Sequence, residues 1–99
     1  MAQFGEAQTI TTQADGVRWI DAADIDGDGL SDIIAANRFG SNVTWYKNVD
    51  AGASFVSNEI AFLNQTSMVT HGDLDGDGDI DIVASTIPLS LLFAYILMN

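Results

Sequence analysis

The feature that most constrains this chain is a nine-residue acidic block that occurs twice. Asp24-Ile25-Asp26-Gly27-Asp28-Gly29-Leu30-Ser31-Asp32 and Asp73-Leu74-Asp75-Gly76-Asp77-Gly78-Asp79-Ile80-Asp81 both read D-x-D-G-D-G-x-x-D. Every position of one lies 49 residues from its counterpart. The match runs on into Ile33-Ile34-Ala35-Ala36 and Ile82-Val83-Ala84-Ser85. A repeat of this length points to a propeller, a solenoid or an array, with one supersecondary unit per repeat.

The stretch between the blocks reads as β structure. Val17 to Ala23 is rich in β-branched and aromatic residues, and Asp32 to Asn37 is a short apolar run closed by a polar residue. Asn42 to Val49 alternates, with Val43, Trp45 and Lys47 on one face and Asn42, Thr44, Tyr46 and Asn48 on the other. Phe55 to Phe62 is a fourth strand. Turn residues lie between them: the Asp/Gly block, Arg38-Phe39-Gly40-Ser41 and Asp50-Ala51-Gly52-Ala53. Four short strands in about 45 residues have the size of a propeller blade. The run Ile33–Ala36 is apolar at every position, which suits a strand covered on both sheet faces.

The expected fold is therefore all-β, an antiparallel β-propeller blade arrangement of about one and a half to two blades. Residues 1–86 form the repeat region. Within it, 4–12 reads as an outer strand because it places Phe, Glu and Ile as 55–62 does; 17–62 is the first blade and 66–86 part of a second. Residues 87–99 are an uncharged, largely apolar tail that does not continue the 49-residue match. It is short for a membrane span, which needs about 20 apolar residues. It reads as a strand or short helix packed on the sheet, or as an end foreign to the repeat. The first residues, Met-Ala-Gln-Phe-Gly-Glu, lack the basic and apolar regions of a signal peptide.

Each block has the chemistry of a cation loop. Asp24, Asp26, Asp28 and Asp32 stand at positions 1, 3, 5 and 9, where alternate side chains of a tight loop converge. Gly29 permits a sharp turn that a Cβ would resist, and the Leu30 carbonyl can then face inward. The second block offers Asp73, Asp75, Asp77 and Asp81 with the Asp79 carbonyl. All these donors are hard oxygens. Ca²⁺ accepts six to eight of them in irregular geometry, whereas Mg²⁺ holds to an octahedron and keeps its waters. Zinc prefers His or Cys. Four carboxylates drawn together repel one another, and a divalent cation turns that repulsion into coordination. Two Ca²⁺ sites are expected. An EF-hand is ruled out, because its twelfth position is a bidentate Glu and here it is Ala35 or Ala84.

The two blocks, the apolar strand after each and Val43-Thr44-Trp45-Tyr46-Lys47-Asn48 together resemble the FG-GAP/VCBS repeat family, which includes the calcium-binding blades of integrin alpha-subunit propellers. The resemblance covers residues 4–86. It implies calcium ligands at Asp24, Asp26, Asp28, Leu30 (carbonyl) and Asp32, and at Asp73, Asp75, Asp77, Asp79 (carbonyl) and Asp81. It implies a β-propeller in a secreted or cell-surface protein, with roles mostly in adhesion and ligand binding. This chain departs from the family in holding fewer blades than the about four a closed propeller needs. Self-association is one way of completing the ring.

Composition narrows the functions further. Fourteen acidic residues against three basic ones give a net charge of −11, which argues against nucleic acid and anionic membranes as partners. The chain is nonetheless 47% hydrophobic, so it is not a disordered acidic tail. With no Cys there is no disulfide, thiolate site or cysteine nucleophile. The lone His71 reads as a strand-end side chain. No base stands beside a Ser or Thr at catalytic spacing, and the repeat duplicates its carboxylates symmetrically, whereas acid–base pairs need two different environments. The expectation is a non-enzymatic calcium-binding module that recognises a protein or carbohydrate ligand. Its alternative is a carbohydrate-binding module, with Trp19, Trp45 or Tyr46 as a stacking platform, or a propeller accessory to a secreted hydrolase or lyase. Arg18, Arg38 and Lys47 are scattered, and read as solvated or as balancing nearby Asp residues.

Overall fold

Seven strands form two antiparallel sheets. The computed structural model describes residues 4–86, 93–97 and 99. Sheet one has the order β1 (Val17–Ala23), β2 (Asp32–Asn37), β3 (Asn42–Asn48), β4 (Phe55–Phe62). Sheet two has the order β5 (Thr66–Gly72), β6 (Asp81–Thr86), β7 (Phe93–Leu97). Strands neighbouring in sequence are neighbours in space, so each sheet is a meander and each acidic block is the turn between its first two strands.

The four strands expected between 17 and 62 are all present, and β3 ends one residue earlier than expected. Residues 4–12, expected as an outer strand, form no strand. Phe4 is 97% exposed and Ile10 is 40% exposed. Their likeness to β4 does not suffice, because β4 owes its extended order to its ladder with β3, which runs from Phe55 to Phe62 with one register shift, and the N-terminal segment has no such ladder among the described residues. It is held to sheet one through Asp15 and Gly16, whose carbonyls accept from the N–H of Gly40 (3.1 Å) and Arg38 (2.9 Å).

The tail behaves differently from the repeat arithmetic. Residues 93–97 are a third strand of sheet two, with Ile82 opposite Leu97 and Thr86 opposite Phe93. In sheet one Ile33 lies opposite Tyr46. Leu97 is therefore the structural counterpart of Tyr46, and Asn99 that of Asn48. The offset of 49 in the acidic blocks becomes 51 in the third strands. Residues 87–92 of the tail lie outside the described residues.

The sheets stack face to face. Ile25, Ile34, Ala36 and Val43 of the first unit meet Val69, Ile82 and Ala84 of the second, with Trp45, Ala61, Ile80 and Leu97 packed around them. Ile34, Ala36, Val43 and Ala84 are fully buried. Side chains alternate across a strand, so sheet one offers the face of Ile34 and Ala36, while sheet two offers the face of Ile82 and Ala84. In repeat terms these are opposite faces, as successive blades require. Both β1 and β5 carry a bulge at the same repeat position, after Val17 and after Thr66. The bulged residues meet across the stack, where Arg18 Nε donates to Ser67 Oγ at 3.2 Å.

Candidate metal centre

The acidic loops are built around their first Asp. Asp24 Oδ1 accepts from the Asp28 N–H at 3.1 Å and Oδ2 from the Gly29 N–H at 2.8 Å. In the second loop Asp73 Oδ1 accepts from Gly76 (2.9 Å) and Asp77 (3.1 Å), and Oδ2 from Gly78 (2.9 Å). The fifth-position Asp ties the next part of the turn. Asp28 Oδ1 accepts from the Leu30 N–H, and Asp77 Oδ1 from the Asp79 N–H, both at 2.9 Å. These are Asx-type bonds, which let a short polar side chain stand in for backbone. The glycines supply the left-handed residues the turn needs: φ is +73° and +90° at Gly27 and Gly29, and +75° and +89° at Gly76 and Gly78. The two loops thus agree in backbone as well as in sequence.

The ninth-position Asp closes each loop from the base. Asp32 has no exposed surface; its Oδ2 accepts from Ile25 N–H (3.1 Å) and its Oδ1 from Asn48 N–H (2.8 Å). Asp81, equally buried, accepts from Leu74 N–H (2.9 Å) and Asn99 N–H (3.0 Å). Each carboxylate joins the start of its loop to the end of the third strand. Asn48 extends the clamp: its Nδ2 donates to the Ser31 carbonyl at 3.0 Å, and its Oδ1 accepts from Gly52 N–H at 2.8 Å.

Within this frame the carboxylates converge. In the first loop Asp24, Asp26 and Asp28 bring oxygens within 4.8 Å of one another. In the second the converging set is Asp73, Asp75 and Asp81. Of the expected ligands, Asp32 and Asp77 stand outside these triads. Both oxygens of Asp32 accept from backbone donors, as do both of Asp81, which nonetheless converges with its neighbours, and one oxygen of Asp77 accepts from Asp79. Leu30 and Asp79, expected through their carbonyls, occupy the turns and are held there through their own N–H groups.

Two carboxyls of the second loop are shifted in opposite directions. The Asp75 carboxyl is pushed above the ordinary carboxylate range, first by loss of hydration and then by its hydrogen bond with Asp77 and the charges of Asp77 and Asp81. Asp81 is held below that range, mainly by the N–H of Asn99 and then by that of Leu74. The triads fit a hard divalent cation: all donors are oxygens, they lie on one turn, and among the described residues no ion pair offsets those of the second loop.

Lys47 belongs to the first site. Its ammonium bonds Asp26 Oδ2 and lies 3.1 Å from Asp28 Oδ2. The sequence suggests no more than a cation near acids; the alternation that sets Lys47 on the Trp45 side of β3 is the signal that could have placed it. His71 faces Asp21 across the two sheets, Nδ1 to Oδ2 at 2.6 Å. The Asn48 and Asn99 clamps are missed at an offset of 49, because they are 51 residues apart. Trp45 packs against the core and Tyr46 is only 6% exposed, so neither is a free stacking platform.

Residues 24–84 match the family model described as FG-GAP-like repeat. No curated protein and no solved structure matches the chain.

Proposed function

The chain belongs to the FG-GAP-like repeat family, and on that premise we propose that it is a non-enzymatic calcium-binding β-propeller module of an extracellular or cell-surface recognition protein. The observation that carries the reading is the pair of triads. Two loops, alike in sequence, glycine conformation and Asx bonding, each gather three carboxylates within 4.8 Å. Asp24, Asp26 and Asp28 would hold one ion, and Asp73, Asp75 and Asp81 the other. The sequence also assigns the Leu30 and Asp79 carbonyls, Asp32 and Asp77 as ligands, and these would have to join the triads as the ion binds.

Bound calcium would neutralise the converged carboxylates and cross-link each turn. The chain's own residues set the frame. Asp32 and Asp81 hold the base of each loop to its sheet, and the glycines let the turn curl over the site. The role is structural: the loops order the ends of β1, β2, β5 and β6, next to the surface where the sheets stack.

Thermal denaturation of the full chain tests the reading. Millimolar CaCl₂ should raise the melting midpoint and excess chelator should lower it, with MgCl₂ giving a smaller rise. Extracellular calcium modules bind with Kd of about 10⁻⁴–10⁻³ M, so stabilisation at 10 mM should amount to roughly 1.5–3 kcal/mol for each filled site. Coincident melting curves in calcium and chelator would overturn it.

A further inference from the structure

Among the described residues, the first acidic triad holds a cation of the chain's own and the second does not. Lys47 places its ammonium against Asp26 Oδ2 and 3.1 Å from Asp28 Oδ2, two of the three carboxylates that converge in that loop. Its side chain is about one-third exposed. The ammonium lies 5.9 Å from the centre of the Trp45 ring, within range of a cation–π contact. The second loop has the same glycine conformations and Asx bonds, but its converging carboxylates are those of Asp73, Asp75 and Asp81. Leu97 stands where Tyr46 stands, and Asn99 where Asn48 stands, and the sequence has no Lys or Arg after Arg38 and Lys47 to serve the second loop as Lys47 serves the first. The only other basic residues besides His71 are Arg18, engaged with Ser67, and Arg38, beside Phe39. Among the described residues, the ion pairs are those of Lys47 with Asp26 and Asp28 and of His71 with Asp21. None reaches Asp73, Asp75, Asp77 or Asp81.

Resting on the calcium reading, we propose that Lys47 is an internal competitor that makes the first loop the weaker site, so that the two loops fill in order, the second before the first. A divalent ion entering the first loop meets three carboxylates whose charge is offset by one ammonium. It must break both Lys47 contacts, then either displace the ammonium into solvent or bind beside it. An ion entering the second loop meets three carboxylates with no such offset. In oxygen cages of this kind affinity follows the ligand charge count, and one unit positive charge at ion-pair distance is a full step in that count. The long, flexible stem of lysine lets the ammonium leave without disturbing β3. Below saturating calcium the ammonium holds the first loop together, while the second depends on the ion.

The test is calorimetric titration of the full chain with CaCl₂, comparing the wild type with Lys47→Met and Lys47→Arg. The amide signals of Gly27, Gly29, Gly76 and Gly78 report which loop fills. The wild type should show two affinities separated by about tenfold or more, the second loop filling first. Lys47→Met should tighten the first loop by about tenfold, with the second unchanged. Lys47→Arg should keep the wild-type order. Lys47→Gln gives the same readout if Lys47→Met does not fold. Two calcium ions bound with affinities that Lys47→Met leaves unchanged, or a first loop that fills first, would overturn the proposal while leaving the calcium reading intact. Absence of calcium binding in both wild type and variant would remove that reading, and this proposal with it.

Discussion

The backbone N–H of Asn48 donates to Asp32 Oδ1 at 2.8 Å, joining the end of β3 to the foot of the first acidic loop. The same bond recurs between Asn99 and Asp81 at 3.0 Å. The ninth-position carboxylates are therefore braces first, whatever else they touch. They are buried, they accept from two backbone donors each, and they connect segments that are far apart in sequence.

Replacing Asp32 by Asn tests the brace. The amide keeps the shape but presents an NH₂ group to one of two buried N–H donors. A hydrogen bond to a charged group is lost and a buried donor is left unpaired, so Asp32→Asn should cost about 2–3 kcal/mol. Urea unfolding in chelator, with no metal to confuse the reading, checks it. An unchanged midpoint would mean that the carboxylate does not brace the loop.

Acid should weaken the fold through Asp81. Its carboxyl is held below the ordinary range by the Asn99 and Leu74 N–H groups. A depressed folded pKa gives stability that is present above the unfolded value, about 4, and lost as pH falls through the folded one. Asp75 acts in the opposite sense. Its raised pKa means that its contribution is largest at low pH and is lost as pH rises through the folded value. In chelator, Asp81→Asn should flatten the fall in melting midpoint below about pH 4, and Asp75→Asn should remove a loss of stability that sets in as pH rises above about 4. Identical pH profiles for wild type and Asp81→Asn would refute the assignment.

Gly29 and Gly78 should resist substitution for conformational reasons alone. A Cβ added at either meets no atom within 4 Å, yet φ is +90° and +89°. Ala at each should therefore cost about 1–2 kcal/mol of strain. Calcium affinity should fall in the substituted loop, while the other keeps its own. Titration of Gly29→Ala and Gly78→Ala separates the two, and equal weakening of both loops by one substitution would contradict their independence.

Ile34 anchors the contact between the sheets. It is fully buried at the centre of the cluster that joins them. Ile34→Ala should cost about 3 kcal/mol, through lost transfer energy and the cavity left behind. Because both sheets line that cavity, near- and far-ultraviolet circular dichroism should report one coincident transition. Separate transitions would show sheets that unfold independently.

Much of sheet one and both loops was legible because the residues carry short-range signals. Alternation in Asn42–Asn48, the apolar run Ile33–Ala36 and the Asp/Gly spacing each specify local geometry without reference to a partner. What the sequence concealed depends on distance. The N-terminal segment has the residues of a strand but, among the described residues, no ladder to join. The strand Phe93–Leu97 has no alternation to announce it, and its register follows from a connection two residues longer than in the first unit. Lys47 finds Asp26 and Asp28 only once β3 is laid beside β2. The unequal division of labour among the Asp residues was also invisible, since nothing in D-x-D-G-D-G-x-x-D distinguishes a carboxylate that faces outward from one absorbed by backbone donors.

The stacking of Ile34 and Ala36 against Ile82 and Ala84 has a consequence for symmetry. The surfaces in contact are not equivalent in the repeat: one unit presents its even-numbered side, and the other the side that corresponds to the first unit's odd-numbered residues. Such a junction is heterologous, a head meeting a tail, and it has no two-fold axis. A junction of this type is never satisfied pairwise, because each added unit covers one surface and brings another of the opposite kind. Repetition of such a junction gives a ring where the rotation closes and an open array where it does not.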